Sequence, residues 1–110
     1  MNERRKSERI EINYPIIYVV SDSNGQIETQ GIGFALDIST DGMMFESNEP
    51  VDATTLSIHA SYNDGQTLKV DAFLIYSMPH ADGKYRSGIR FSGASDQISN
   101  FVDILCKLSE

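Results

Sequence analysis

Two short segments carry residue types that could recognise a phosphate or a nucleobase. The first is Arg5-Lys6-Ser7-Glu8-Arg9, with arginines four residues apart. A guanidinium is planar and always charged. It can donate two parallel hydrogen bonds to a phosphate or to the Hoogsteen edge of guanine, and it can stack on a base. In an extended segment the two arginines lie roughly 13 Å apart, enough to reach different parts of one ligand. The second segment is Asp37-Ile38-Ser39-Thr40-Asp41-Gly42. On a strand, residues i and i+2 share a side, so Asp37 and Ser39 are expected to present a carboxylate and a hydroxyl together at a strand end. The carboxylate can accept from the Watson–Crick donors of guanine, and the hydroxyl can donate to phosphate or accept from the base. Gly42 is expected to let the chain turn and to let backbone approach a ligand closely. Each segment also has a plainer reading. A charged N-terminal run can be a solvated tail, and Asp, Ser and Gly can be turn residues that satisfy local backbone groups.

The elements that would position these residues are mostly strands. Asn24-Gly25, Asp41-Gly42, Asp64-Gly65 and Asp82-Gly83 are dipeptides suited to tight hairpins. Between them lie strand-like runs at 14–20, 32–38, 43–47, 56–62, 68–76 and 85–91, the first opened by Pro15. Leu56, Ile58, Ala60 and Tyr62 alternate with polar residues; Leu68, Val70, Ala72, Leu74 and Tyr76 are expected to share one face, as are Tyr85, Ile89 and Phe91. Met44 and Phe45 are expected to point to opposite faces. Six short antiparallel strands joined by hairpins suggest a small closed barrel, which leaves no exposed edge. The period then changes. Ile98, Phe101, Val102, Leu105 and Leu108 fall at helical spacing, with Ser95 as the expected cap, Asp96 near the positive end of the dipole and Lys107 near the negative end. A C-terminal helix packed on the barrel follows.

Charge narrows the partners. The chain of 110 residues has a net charge of −7, yet four of its nine basic residues (Arg4, Arg5, Lys6 and Arg9) fall within the first nine positions. An acidic body disfavours DNA, RNA or an anionic membrane surface, which need extended positive charge; a small basic cluster can still neutralise a small dianion. No apolar run is long enough to span a bilayer, and no hydrophobic stretch follows Met1-Asn2-Glu3-Arg4-Arg5, so neither membrane insertion nor a secretory leader is expected. One cysteine, Cys106, forms no intrachain disulfide, and a reducing cytoplasm is the expected compartment. His59 and His80 show no metal-ligand spacing, and no acid/base pair or activated nucleophile stands out, so neither a metal nor catalysis is expected.

Taken together, RxxxR followed by a strand, DxSxxG between two strands, further strands and a helix resemble the PilZ domain family. Tyr85-Arg86-Ser87-Gly88-Ile89-Arg90-Phe91 is also similar to the Gly-hydrophobe-x-Phe pattern of that family's last barrel strand. The resemblance spans nearly the whole chain. It implies a six-stranded antiparallel β-barrel with a C-terminal α-helix, and cyclic di-GMP as ligand, with no cofactor. It also implies a receptor that turns second-messenger binding into a changed surface for a downstream protein partner in motility, biofilm or polysaccharide control. The implied ligand residues are Arg5, Arg9, Asp37, Ser39 and Gly42. A basic residue at the position of Arg4 is associated with an intercalated ligand dimer, whose added charge needs a further cation; a solvated arginine is the alternative. The expected layout is one domain over 1–110: a flexible basic ligand-binding arm at 1–10, a barrel at 11–93 and a helix at 95–109. The main rival is a nucleotide-independent protein–protein adaptor of the same family.

Overall fold

The computed structural model describes residues 8–63 and 65–110. Its six strands are β1 (Ile10–Ser21), β2 (Ile27–Ile38), β3 (Gly42–Ser47), β4 (Thr55–Tyr62), β5 (Gln66–Pro79) and β6 (Tyr85–Ser92), followed by helix α1 (Ser95–Leu108). Antiparallel pairing in the order β1-β2-β3-β6-β5-β4 closes the barrel expected from the sequence. The hairpin signals act as turns. Gly25 and Gly65 take φ of 82° and 86°, and Asp82 and Gly83 take 65° and 73° in a 3-10 turn at Ala81–Gly83. In the first hairpin the Asp22 carboxylate accepts from the N–H groups of Asn24 and Gln26 at 2.8 and 2.9 Å.

Period-2 alternation puts Ile16, Tyr18, Ala35, Met43, Phe45, Ile58, Val70, Ala72 and Ile89 inside the barrel, all buried. Met44 faces outward beside the inward Phe45, as expected. Helix α1 packs against β1 and β5 through Phe101, Val102 and Leu105, and Phe101 meets Phe91 edge-on at 5.8 Å between ring centroids. Each of these large apolar side chains stabilises by about 1.5–3 kcal/mol when fully buried. Leu108, placed on the same stripe by spacing, is 37% exposed in the last turn.

Four local expectations are corrected. The strand starting at Ile10 takes in the last residue of the range assigned to the arm. Pro15 lies inside β1 rather than at its start; β4 joins β1 only from Ile17 to Val19, so a missing N–H at Pro15 breaks no second ladder. Ser95 is the first helical residue, not the cap. The cap is Ala94, with no side-chain bond, and the Asp96 carboxylate accepts from the Gln97 N–H at 3.0 Å instead. Finally, Tyr76 leaves the inward face it was expected to share with Leu74, because the β5–β6 register shifts between them.

Candidate functional site

The site rests on two β-bulges. In β2, Ala35 points inward, so strict alternation would also turn Asp37 inward. The register shift between Ala35 and Asp37 reverses the phase: Ile38 becomes fully buried and Asp37 faces out. In β5, the shift between Leu74 and Tyr76 does the same for Tyr76. Both fall in one lateral row across four strands, Asp37↔Met44↔Gly88↔Tyr76. At about 4.8 Å per strand the row is roughly 14 Å wide. The absent side chain at Gly88 leaves room for the Tyr76 ring, which a Cβ there would strike. A cleft of about 210 Å³ lies over the row, with Arg9 and Asp37 on one side, Met44 and Gly88 beneath, and Ile75 and Tyr76 on the other.

Arg9 Nη1 donates to Asp37 Oδ1 at 2.5 Å, with the two side chains 55% and 22% exposed. An ion pair this open to water contributes about 0–1 kcal/mol, so both groups are available to a ligand at little cost. Two more arginines flank the row on β6. Arg90 is exposed and pairs across the ladder with Gly42, while Arg86 donates through Nε to Glu46 Oε2 at 3.3 Å. Arg9, Arg86 and Arg90 are three of the six lysines and arginines among the described residues. Arg9 lines the cleft beside Asp37, and Arg86 and Arg90 stand on β6 to either side of Gly88.

Ser39 and Gly42 shape the turn between β2 and β3. β2 ends at Ile38, and Ser39 is 3% exposed in the turn that follows. Its Oγ accepts from the N–H groups of Asp41 and Gly42 at 3.1 and 3.3 Å, and its own N–H donates to the Gly42 carbonyl at 2.9 Å. Asp37 and Ser39 therefore do not open side by side: the carboxylate faces Arg9 and the hydroxyl holds the turn. Gly42 already belongs to β3 and has no positive φ. A Cβ at this position would stand on the Ile89 carbonyl of the neighbouring strand. The turn is further tied to β6 by the Phe91 N–H, which donates to the Asp41 carbonyl at 2.8 Å. Arg4 and Arg5 lie outside the described residues.

A family model for the PilZ domain matches residues 3–105. The chain belongs to the PilZ domain family. Two solved PilZ-type structures share its fold. The Bacillus subtilis inhibitor of motility (MotI/DgrA) superposes with a TM-score of 0.63 at 14% identity, covering 89% of this chain and 48% of that one. The PilZ domain of YcgR from Escherichia coli, in a structure with c-di-GMP, gives 0.60 at 17% identity, covering 96% and 93%. This PilZ chain thus spans about half the length of MotI and nearly all of the YcgR domain. No curated protein matches its sequence. Among the described residues no helix is long and apolar enough to cross a membrane, and no three His, Cys, Asp or Glu side chains converge as metal ligands. The half-buried Cys106 thiol is pushed above its usual pKa by burial and by Asp103 and Glu110, which keeps it protonated and weakly nucleophilic.

Two features of the site were not read from the sequence: the Tyr76–Gly88 pair and the place of Arg90 beside Gly42. The glycine and aromatic residues were visible as types. Their meeting depends on the β5 bulge, for which nothing in the local sequence is diagnostic.

Proposed function

We propose that this PilZ domain is a cyclic di-GMP receptor without catalytic activity, working in the cytoplasm. The observation that carries the reading is the outward row Asp37–Met44–Gly88–Tyr76 with Arg9 poised on Asp37. The row combines a carboxylate for the donor edge of guanine, an aromatic ring for stacking and a guanidinium for phosphate or base. The family assignment and the fold shared with a c-di-GMP-containing YcgR domain support the same ligand.

In the proposed mechanism Arg9 exchanges its solvent-exposed bond to Asp37 for bidentate contacts with the ligand. Losing the bond costs about 1 kcal/mol at most, while each bidentate contact to guanine is worth about 1–3 kcal/mol of discrimination. Asp37, released from Arg9, accepts from the guanine N1–H and exocyclic amine. Arg5 binds alongside Arg9, and Arg4 supplies the further cation that an intercalated ligand dimer needs. Ser39 and Gly42 act by holding the turn that fixes Asp37. The basic arm that precedes β1 closes over the barrel, and the altered surface is what a downstream protein partner in motility, biofilm or polysaccharide control reads.

The rival is a nucleotide-independent adaptor, in which Arg9 and Asp37 remain paired with each other and Ser39 holds its turn. Equilibrium dialysis separates the two readings. The receptor binds cyclic di-GMP saturably, and Arg9→Ala and Asp37→Ala each weaken binding tenfold or more, roughly the value of one bidentate contact, with unchanged circular dichroism. No binding by the wild type supports the adaptor; identical binding by both variants puts the ligand away from Arg9 and Asp37.

A further inference from the structure

The stretch Tyr14-Pro15-Ile16-Ile17-Tyr18-Val19-Val20 is apolar at every position. A barrel strand with one wet face alternates, as β4 does with Ser57, His59 and Ser61 outward and Leu56, Ile58 and Ala60 inward. A strand apolar on both faces is normally covered on both. The inward half of this stretch is buried in the core. On the outward half Ile17 is 44% exposed, and on the neighbouring β2 Ile27, Ile32 and Phe34 are 61%, 68% and 47% exposed. The exposed parts of these four side chains come to on the order of 400 Å² of apolar surface, the size of the largest patch on an ordinary monomer, which is often a functional one.

The shape and charge of this face complement themselves. Ile32 stands as a ridge between two hollows. One, of about 590 Å³, is floored by Ile17 and bounded by His59; the other, of about 640 Å³, is bounded by Glu49 and Pro50. Across the strands the row runs Ile32, Ile17, His59, Lys69. At its far end on β5 stands Lys69, with Asp71 two residues on along the same face, and the side beyond β2 carries Glu49.

We propose that this face pairs two copies of the chain about a two-fold axis running along β1 at Ile17. The axis seats the Ile32 ridge of each copy in the Ile17–His59 hollow of the other. It also sets Lys69 against the partner's Glu49, twice by symmetry. A stable pair buries about 800 Å² per partner; an apolar centre of about half that, inside a polar rim, is the usual composition. Ile32 lies five residues from Asp37 along β2, roughly 17 Å, so pairing leaves the cleft beside Asp37 open.

The test is sedimentation equilibrium of the full chain from about 1 to 200 µM, the range that resolves a dimer at the weak, micromolar end of standard-size interfaces. The expected result is a monomer–dimer equilibrium. Ile32→Asp gives a monomer across the range with an unchanged thermal transition. Lys69→Glu weakens the dimer about tenfold through two repelling pairs, and adding Glu49→Lys to it restores the wild-type constant. The charge variants decide the matter by themselves if Ile32→Asp does not fold. A wild type that stays monomeric throughout overturns the proposal. So does a dimer untouched by Ile32→Asp, or a Lys69→Glu effect that Glu49→Lys does not reverse.

Discussion

Replacing Gly42 with alanine separates a structural from a ligand-contact role for the last residue of the DxSxxG segment. Gly42 does not need glycine for its backbone angles, since its φ is not positive. Its constraint is space. An added Cβ would stand inside contact distance of the Ile89 carbonyl oxygen and 3.3 Å from the Arg90 Cα. Both obstacles are backbone, so no side chain can swing aside. Relief would require β3 and β6 to part where Gly42 pairs with Arg90 and where the Phe91 N–H holds the Asp41 carbonyl. Overpacking costs about 1–3 kcal/mol, and a rigid obstacle puts this site at the upper end, about 2–3 kcal/mol. For a domain of this size that lowers Tm by about 10–15 °C. Urea denaturation followed by circular dichroism measures the free energy directly. Gly25→Ala is the control: Gly25 has φ 82° and an added Cβ would meet nothing within 4 Å, so only the left-handed conformation is penalised, by about 1–2 kcal/mol. A Gly42→Ala protein within about 0.5 kcal/mol of wild type would refute the steric argument. If it also lost cyclic di-GMP, the glycine would belong to the ligand contact instead.

Three further outcomes follow from the same geometry. Ser39→Ala removes the acceptor for the buried Gly42 N–H and the part-buried Asp41 N–H and is expected to cost about 1–2 kcal/mol in the same denaturation assay, with affinity falling only as the turn loosens. Tyr76→Ala should weaken cyclic di-GMP binding by roughly tenfold while Tyr76→Phe retains it, since stacking on an aromatic ring is worth about 1–3 kcal/mol per base; fluorescence anisotropy with labelled ligand measures both. His59, hydrogen-bonded to Ser57, has its pKa lowered chiefly by burial and then by Lys69, against an opposing pull from Asp71. The folded state therefore resists protonation that the unfolded chain accepts. Its contribution to stability is present above the unfolded value near 6.5 and is lost as pH falls below it. His59→Gln should flatten that part of the urea-midpoint profile between pH 7.5 and 5.

How far the sequence could be read depended on how local each signal was. Alternation in Leu56–Tyr62, the four Asx-Gly dipeptides and the helical spacing of Ile98, Phe101, Val102 and Leu105 are local patterns, and they were enough to place six strands and a helix. The PilZ resemblance lay in residues whose spacing survives any register. What was illegible depended on register. A bulge changes strand parity without a distinctive residue, so Tyr76 could not be placed on the outer face beside Asp37; Arg90 meets Gly42 through a regular β3–β6 ladder between strands far apart in sequence, whose register no local pattern gives. Ser39 had two chemically sound partners, a ligand and its own turn; only the burial of its hydroxyl shows that the turn has it. Ser95 read as a cap because serine favours caps, but Asp96 one residue on takes the N–H of Gln97. The apolar outer face of β1 was legible as composition. It gained meaning only when Ile32 and Phe34 were found exposed alongside Ile17.

The most direct test of the central claim is a calorimetric titration of the protein with cyclic di-GMP, with GTP and cyclic AMP as controls. Saturable heat is expected for cyclic di-GMP alone, lost in Arg9→Ala and in Arg5→Ala, with two ligands per chain if Arg4 supports an intercalated dimer and one if it does not. No heat at high ligand concentration would contradict the central claim and leave the nucleotide-independent adaptor; equal heat from Arg9→Ala would contradict the role given to Arg9 in the site.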